Sequence, residues 1–116
     1  MLNIDKVDTV YLACGVTDLR RNIDGLSLIV QMELKLNPFE KALFVFCNKQ
    51  MNKLKILHFD EGFWLYYYRL EKGKFKWPMT KAEALSVNIE ELRWILKGYE
   101  VRTTSKFKPI NKKNYY

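Results

Sequence analysis

Between Lys53 and Pro78 aromatic and cationic side chains alternate, in KLKILHFDEGFWLYYYRLEKGKFKWP. Such alternation is the signature of strands with two different faces. Asp60-Glu61-Gly62 and Lys72-Gly73 interrupt it, and glycine admits the positive φ that tight connections need. The pattern predicts two consecutive hairpins. A three-residue first loop pairs Phe59 with Phe63, Leu57 with Leu65, Lys55 with Tyr67 and Lys53 with Arg69. A two-residue second loop sets Arg69 opposite Lys76 and Tyr68 opposite Trp77. One face then holds Leu54, Ile56, His58, Trp64, Tyr66, Tyr68, Leu70, Phe75 and Trp77, and reads as core. The other holds Lys53, Lys55, Tyr67, Arg69, Glu71, Lys74 and Lys76, with Leu57, Phe59, Phe63 and Leu65 at its far end. A slip of one residue in either loop would dissolve this sorting.

Upstream, Thr9–Ala13 (TVYLA) and Ala42–Cys47 (ALFVFC) read as short apolar strands. Between them Thr17 suits a helix N-cap, with Asp18 in the first turn, and Leu19, Ile23, Leu26 and Val30 recur at helical spacing. An amphipathic helix is predicted from Asp18 to Leu36, ended by Asn37-Pro38. Gly25 inside it costs about 1 kcal/mol relative to Ala, which a close approach of helix to sheet explains. Pro78 ends the sheet, and Thr80 to Leu85 reads as a helical turn. Asn88 caps a second helix from Ile89 to Lys97, with Gly98 as its stop. The expected fold is α+β: an antiparallel meander of four strands, with Thr9–Ala13 as a candidate fifth, packed against a long N-terminal helix and a shorter C-terminal one. Residues 1–105 would form one domain and residues 106–116 a basic, flexible tail.

With 116 residues, 48% of them hydrophobic and 28% charged, the chain is long enough to bury a core without disulfides or metal. No apolar run approaches the roughly 18 residues of a membrane span. The opening MLNIDKVDTVYLA lacks a basic region followed by an apolar stretch, so no signal peptide is expected and the cytoplasm is the expected location. Cys14 and Cys47 stand apart, which fits free thiols in a reducing compartment better than a disulfide. The net charge of +7 changes the picture more. Residues 99–116 carry five cations (Arg102, Lys106, Lys108, Lys112 and Lys113) against Glu100 alone. A basic balance favours polyanionic partners through long-range attraction.

Candidate catalytic chemistry is sparse. His58 is the lone histidine, and its place on the predicted core face favours a structural role. Two isolated cysteines and one histidine do not make a zinc site, and no glycine-rich phosphate loop is present. Asp60 and Glu61 belong to a tight turn, Glu90 and Glu91 open a helix, and Asp18 and Asp24 fall on different helix faces. No enzyme, cofactor or metal site is therefore expected. Arg20 and Arg21 fall in the first turn of the predicted helix, where cations oppose the macrodipole. Either an Arg20–Asp24 pair or a binding partner accounts for them.

Five motifs in order carry a resemblance: G-x-T-D-L-R, I-D-G-L, P-F-x-x-A-L-F-V-F, L-K-I-L and L-Y-Y-x-R-L-E-x-G-x-F-x-W-P. Over about residues 9 to 101 the chain resembles the small accessory protein (TnpB type, second open reading frame) of the IS66 family of bacterial insertion sequences. Asp18, Arg20, Asp24, Gly25, Lys55, Arg69, Gly73 and Trp77 fall on that family's pattern. Where the family has a more basic loop before L-K-I-L, this chain has NKQMN, with only Lys49 charged, so little nucleic-acid contact is expected from that loop. The resemblance implies a role in transposition beside a separate DDE-type transposase that carries the catalysis. The leading expectation is a non-catalytic DNA-binding accessory protein, meeting phosphates through Lys53, Lys55, Arg69, Lys74 and Lys76, joined by Arg20 and Arg21, with Tyr67 able to stack on an unpaired base. The alternative is an adaptor that docks on the transposase through Leu57, Phe59, Phe63 and Leu65 without touching DNA. No membrane partner is expected.

Overall fold

The computed structural model describes residues 7, 9–80 and 83–99. One sheet contains β1 (Thr9–Ala13), β2 (Ala42–Cys47), β3 (Lys53–Phe59), β4 (Phe63–Arg69) and β5 (Ala84–Val87), in spatial order β4-β3-β2-β1-β5. β1 and β2 run parallel, joined by a helical crossover, while the other neighbours are antiparallel. The sheet is mixed, which corrects the expected antiparallel meander. A short strand with both faces buried reads the same in either direction, so its residues do not reveal which way its neighbour runs.

The first predicted hairpin forms in the expected register, from Phe59 opposite Phe63 to Lys53 opposite Arg69. The left-handed residue of its loop is Glu61, with φ 62°, rather than Gly62. The second hairpin does not form. Gly73 turns the chain with φ 77°, but the segment beyond it runs back over the sheet toward β1. The Phe75 N–H donates to the Met51 carbonyl (2.7 Å), Trp77 Nε1 donates to the Ala13 carbonyl (3.1 Å), and the Gly15 N–H donates to the Pro78 carbonyl (2.9 Å). This route buries Phe75 and Trp77 in the core. Rings of that size contribute more to stability under cover on both sides than along a half-solvated edge. β4 is consequently an edge strand. β5 occupies part of the stretch expected to be a helical turn, and it buries Leu85 and Val87 beside β1.

A core lies on each face of the sheet. On one, Val10, Leu12, Val45, Leu54 and Ile56 meet Phe75, Trp77, and Leu92 and Ile95 of α2 (Ile89–Leu96). Asn88 starts α2 as expected: its Oδ1 accepts from the Glu91 N–H (2.8 Å), and Glu91 Oε1 accepts from the Asn88 N–H (2.9 Å), a reciprocal cap. On the other face Leu26 and Val30 cover Phe44, Phe46 and Leu57.

The helix carrying Leu26 and Val30 is short, which corrects the long one expected. α1 (Ile23–Leu28) continues as a π-helical stretch, Ile29–Glu33, for eleven residues in all. Its start is delayed because the Asp18 carboxylate accepts from the Arg20 N–H (3.0 Å) in a local turn, and such side-chain bonds compete with helix formation. Asn22, not Thr17, precedes the first turn. At the other end Lys35 adopts a left-handed φ of 59°, and the Leu36 N–H reaches the Val30 carbonyl (3.0 Å), so the helix stops before Asn37-Pro38. Gly25 makes its close approach to Arg21 instead of the sheet: a Cβ there would lie 3.1 Å from the Arg21 Cβ. No helix among the described residues is long and apolar enough to cross a membrane. The expected domain limit at residue 105 and the basic tail lie outside the described residues.

Candidate nucleic-acid interface

The late start of α1 leaves part of one sheet face open. Leu57 of β3 is fully buried beneath α1. Lys55 and Lys53, two and four residues earlier on the same face, line an open groove of about 510 Å³. One wall is the turn carrying Asp18, Leu19 and Arg20, another is the β2–β3 loop carrying Asn48, Lys49 and Gln50, and Tyr67 of β4 lies directly opposite Lys55. Arg20, Lys49, Lys53 and Lys55 thus face Asp18 as the lining carboxylate.

Each wall is held by identifiable bonds. Lys55 Nζ donates to the Arg21 carbonyl (3.0 Å) and to Asn22 Oδ1 (2.9 Å), which ties the turn ahead of α1 to the sheet. An ammonium has three donors, so one remains for a ligand. Arg20 grips Asp18 through Nε (3.0 and 3.1 Å) and Nη2 (2.7 Å). These bonds hold the Asp18 carboxyl well below the usual carboxylate range and push the Arg20 guanidinium up. The Arg20 side chain is still 91% exposed, so a phosphate can reach it. Asn48 is buried and organises the β2–β3 loop. Its Oδ1 accepts from the Asn52 and Lys53 N–H groups (3.0 and 2.9 Å), and its Nδ2 donates to Gln50 Oε1 (3.1 Å) and Asn52 Oδ1 (2.8 Å).

Of the eight residues expected to meet nucleic acid, the structure gathers Lys53, Lys55, Tyr67 and Arg20 in this groove. Arg69 sits on β4 opposite Lys53 and pairs with Glu71 (2.9 Å), outside the groove lining. Arg21 borders a separate depression with Asp24, Gly25 and Leu65. Lys74 and Lys76 are exposed, but the strand whose alternation was to place them beside Lys55 is not there. Arg20 partners Asp18 rather than Asp24 and precedes the helix instead of sitting in its first turn, so no macrodipole penalty arises. Lys49 and Gln50 also line the groove. Their loop was expected to contribute little, yet it forms a wall; the signal was its position between β2 and Lys53.

The apolar end of the same face is largely covered. Leu57 is core, and Phe63 and Leu65 pack against it. The exposed Phe39 meets Phe59 edge-on and Phe63 at a tilt, with ring-centroid separations of 5.0 and 5.4 Å. His58 is buried with Nδ1 3.1 Å from the Ala42 carbonyl, a structural role that requires the proton on Nδ1. Cys14 and Cys47 are free thiols, and burial pushes both up to about 12, away from nucleophilic chemistry. Among the described residues no cluster of His, Cys, Asp and Glu is arranged to hold a metal ion.

The sequence profile of the family described as "IS66 Orf2 like protein" matches residues 8–106. A relative in Sinorhizobium fredii, "Uncharacterized protein y4hO", is 37% identical over 94 residues, covering 80% of this chain and 82% of that one. A second from the same organism, "Uncharacterized protein y4jC", is 32% identical over 104 residues, covering 89% and 88%. No solved structure matches the chain.

Proposed function

This chain belongs to the IS66 Orf2-like family of insertion-sequence accessory proteins, and we propose that it assists transposition as a non-catalytic DNA-binding subunit beside a separate transposase. The observation that carries this reading is the groove in which Arg20, Lys49, Lys53 and Lys55 converge from three chain segments. Cations on walls held by the Asp18–Arg20, Lys55 and Asn48 hydrogen bonds need less reorganisation to meet a phosphate chain than scattered surface lysines would. In this proposal bond breakage belongs to the separate transposase, as the resemblance to the insertion-sequence accessory family implies. The adaptor reading has less support, because Leu57 and the residues packed on it are occupied within the chain's own core.

Anisotropy titrations of labelled DNA across a salt series test the proposal. Affinity is expected to fall steeply with salt, with a logarithmic slope of several units from counterion release. Absence of binding even at about 50 mM salt, where such contacts are strong, contradicts it.

A further inference from the structure

We infer that the groove takes an unpaired DNA strand, with one base stacked on Tyr67; this rests on the DNA-binding reading above and specifies the form of DNA. Tyr67 is 55% exposed in the middle of β4 and packs into neither core cluster. The other exposed β4 rings, Trp64 and Tyr68, are an odd number of positions away and point to the opposite face. Tyr67 is therefore the ring that β4 presents beside the cations.

The surroundings suit a flexible strand. Lys53 and Lys55, two residues apart on β3, place their ammonium stems about 7 Å apart along the strand, a spacing that an extended single strand can follow phosphate by phosphate. Arg20 stands on the opposing wall, so phosphates can be held on two sides with a base between them. A volume of about 510 Å³ lies within the roughly 300–1,000 Å³ of small-ligand sites, enough for a nucleotide. In a duplex the base faces are stacked on each other, and only an unpaired base can offer one to a tyrosine. Stacking tolerates any base, so the site would select strandedness rather than sequence.

The test compares the full chain on a labelled mixed-sequence single strand of about 12 nucleotides, within the usual site size, and on the blunt duplex of the same length. Tighter single-strand binding, by about fivefold or more, is expected. Tyr67→Ala should weaken single-strand binding by about tenfold, the loss of one base stack, and leave duplex binding within about twofold. Tyr67→Trp should restore it. Tyr67→Val, which keeps a strong strand former on the edge strand, should behave like Tyr67→Ala, and melting curves confirm that each variant is folded. Duplex binding equal to or tighter than single-strand binding, or folded Tyr67 variants with unchanged affinity, overturns the inference while DNA binding stands. Failure to bind either form overturns both.

Discussion

Along one face of β3 two neighbouring regions have opposite fates. Leu57 lies dry beneath Leu26 and Val30, while Lys55 and Lys53 open onto the groove. The strand geometry is the same for all three residues, so the difference comes from where α1 begins. A helix starting at Asp18 would place helical backbone where the groove wall now stands. The Asp18–Arg20 turn instead holds the chain back until Ile23. One short-range carboxylate contact thus separates a packed region from an open, positively charged one.

Leu57→Ala is the sharpest way to break the packed half. It should lower stability by about 2–5 kcal/mol in denaturant unfolding, while Lys53→Ala changes it by less than about 0.5 kcal/mol. Equal losses would mean that the two regions are not distinct. Asn48→Ala comes next: it removes two acceptor and two donor contacts from a buried loop scaffold. A cost of about 2 kcal/mol is expected, with weaker DNA binding because Lys49 and Gln50 lose their support. Lys55→Met keeps the stem but loses the bonds to Arg21 and Asn22, and should cost about 1 kcal/mol; an unchanged melting temperature would show that the turn does not depend on that clamp. The smallest effect belongs to Glu61→Gly, which relieves a left-handed residue in the β3–β4 loop and should stabilise by about 0.5 kcal/mol or less after glycine's entropic cost.

The Asp18–Arg20 contact also has a pH signature. The folded carboxyl titrates below its unfolded value, so its contribution is fully present above about pH 4, the unfolded carboxylate value, and fades as pH falls further. Between about pH 5 and 8, where neither partner titrates, groove binding should not respond to this pair.

The β3–β4 register was legible because strict alternation and a three-residue loop leave one pairing that sorts the rings from the lysines. α2 was legible because Asn88 has a cap residue's chemistry immediately ahead of an apolar period. Other elements were not. Phe75 and Trp77 have the spacing of a strand, but a strap crossing the core buries them equally well. The four residues of β5 carry too little pattern to announce a strand, and the parallel β1–β2 pair is a long-range choice without a local mark. Alternation along β3 was enough to put Lys53 and Lys55 on one face, whereas Lys74 and Lys76 were assigned by a hairpin that never closes. Lys49 became visible as part of the site only with the loop's fold.

The most direct measurement compares salt dependence of DNA binding for two triple variants, Arg20→Gln/Lys49→Gln/Lys53→Gln in the groove and Arg69→Gln/Lys74→Gln/Lys76→Gln outside it. Three lost phosphate contacts should reduce the groove variant's logarithmic salt slope by roughly 2–3 units, at about 0.7–0.9 per contact, with the outer variant close to the parent. A groove variant that keeps the parent's slope while the outer variant loses it would contradict the account.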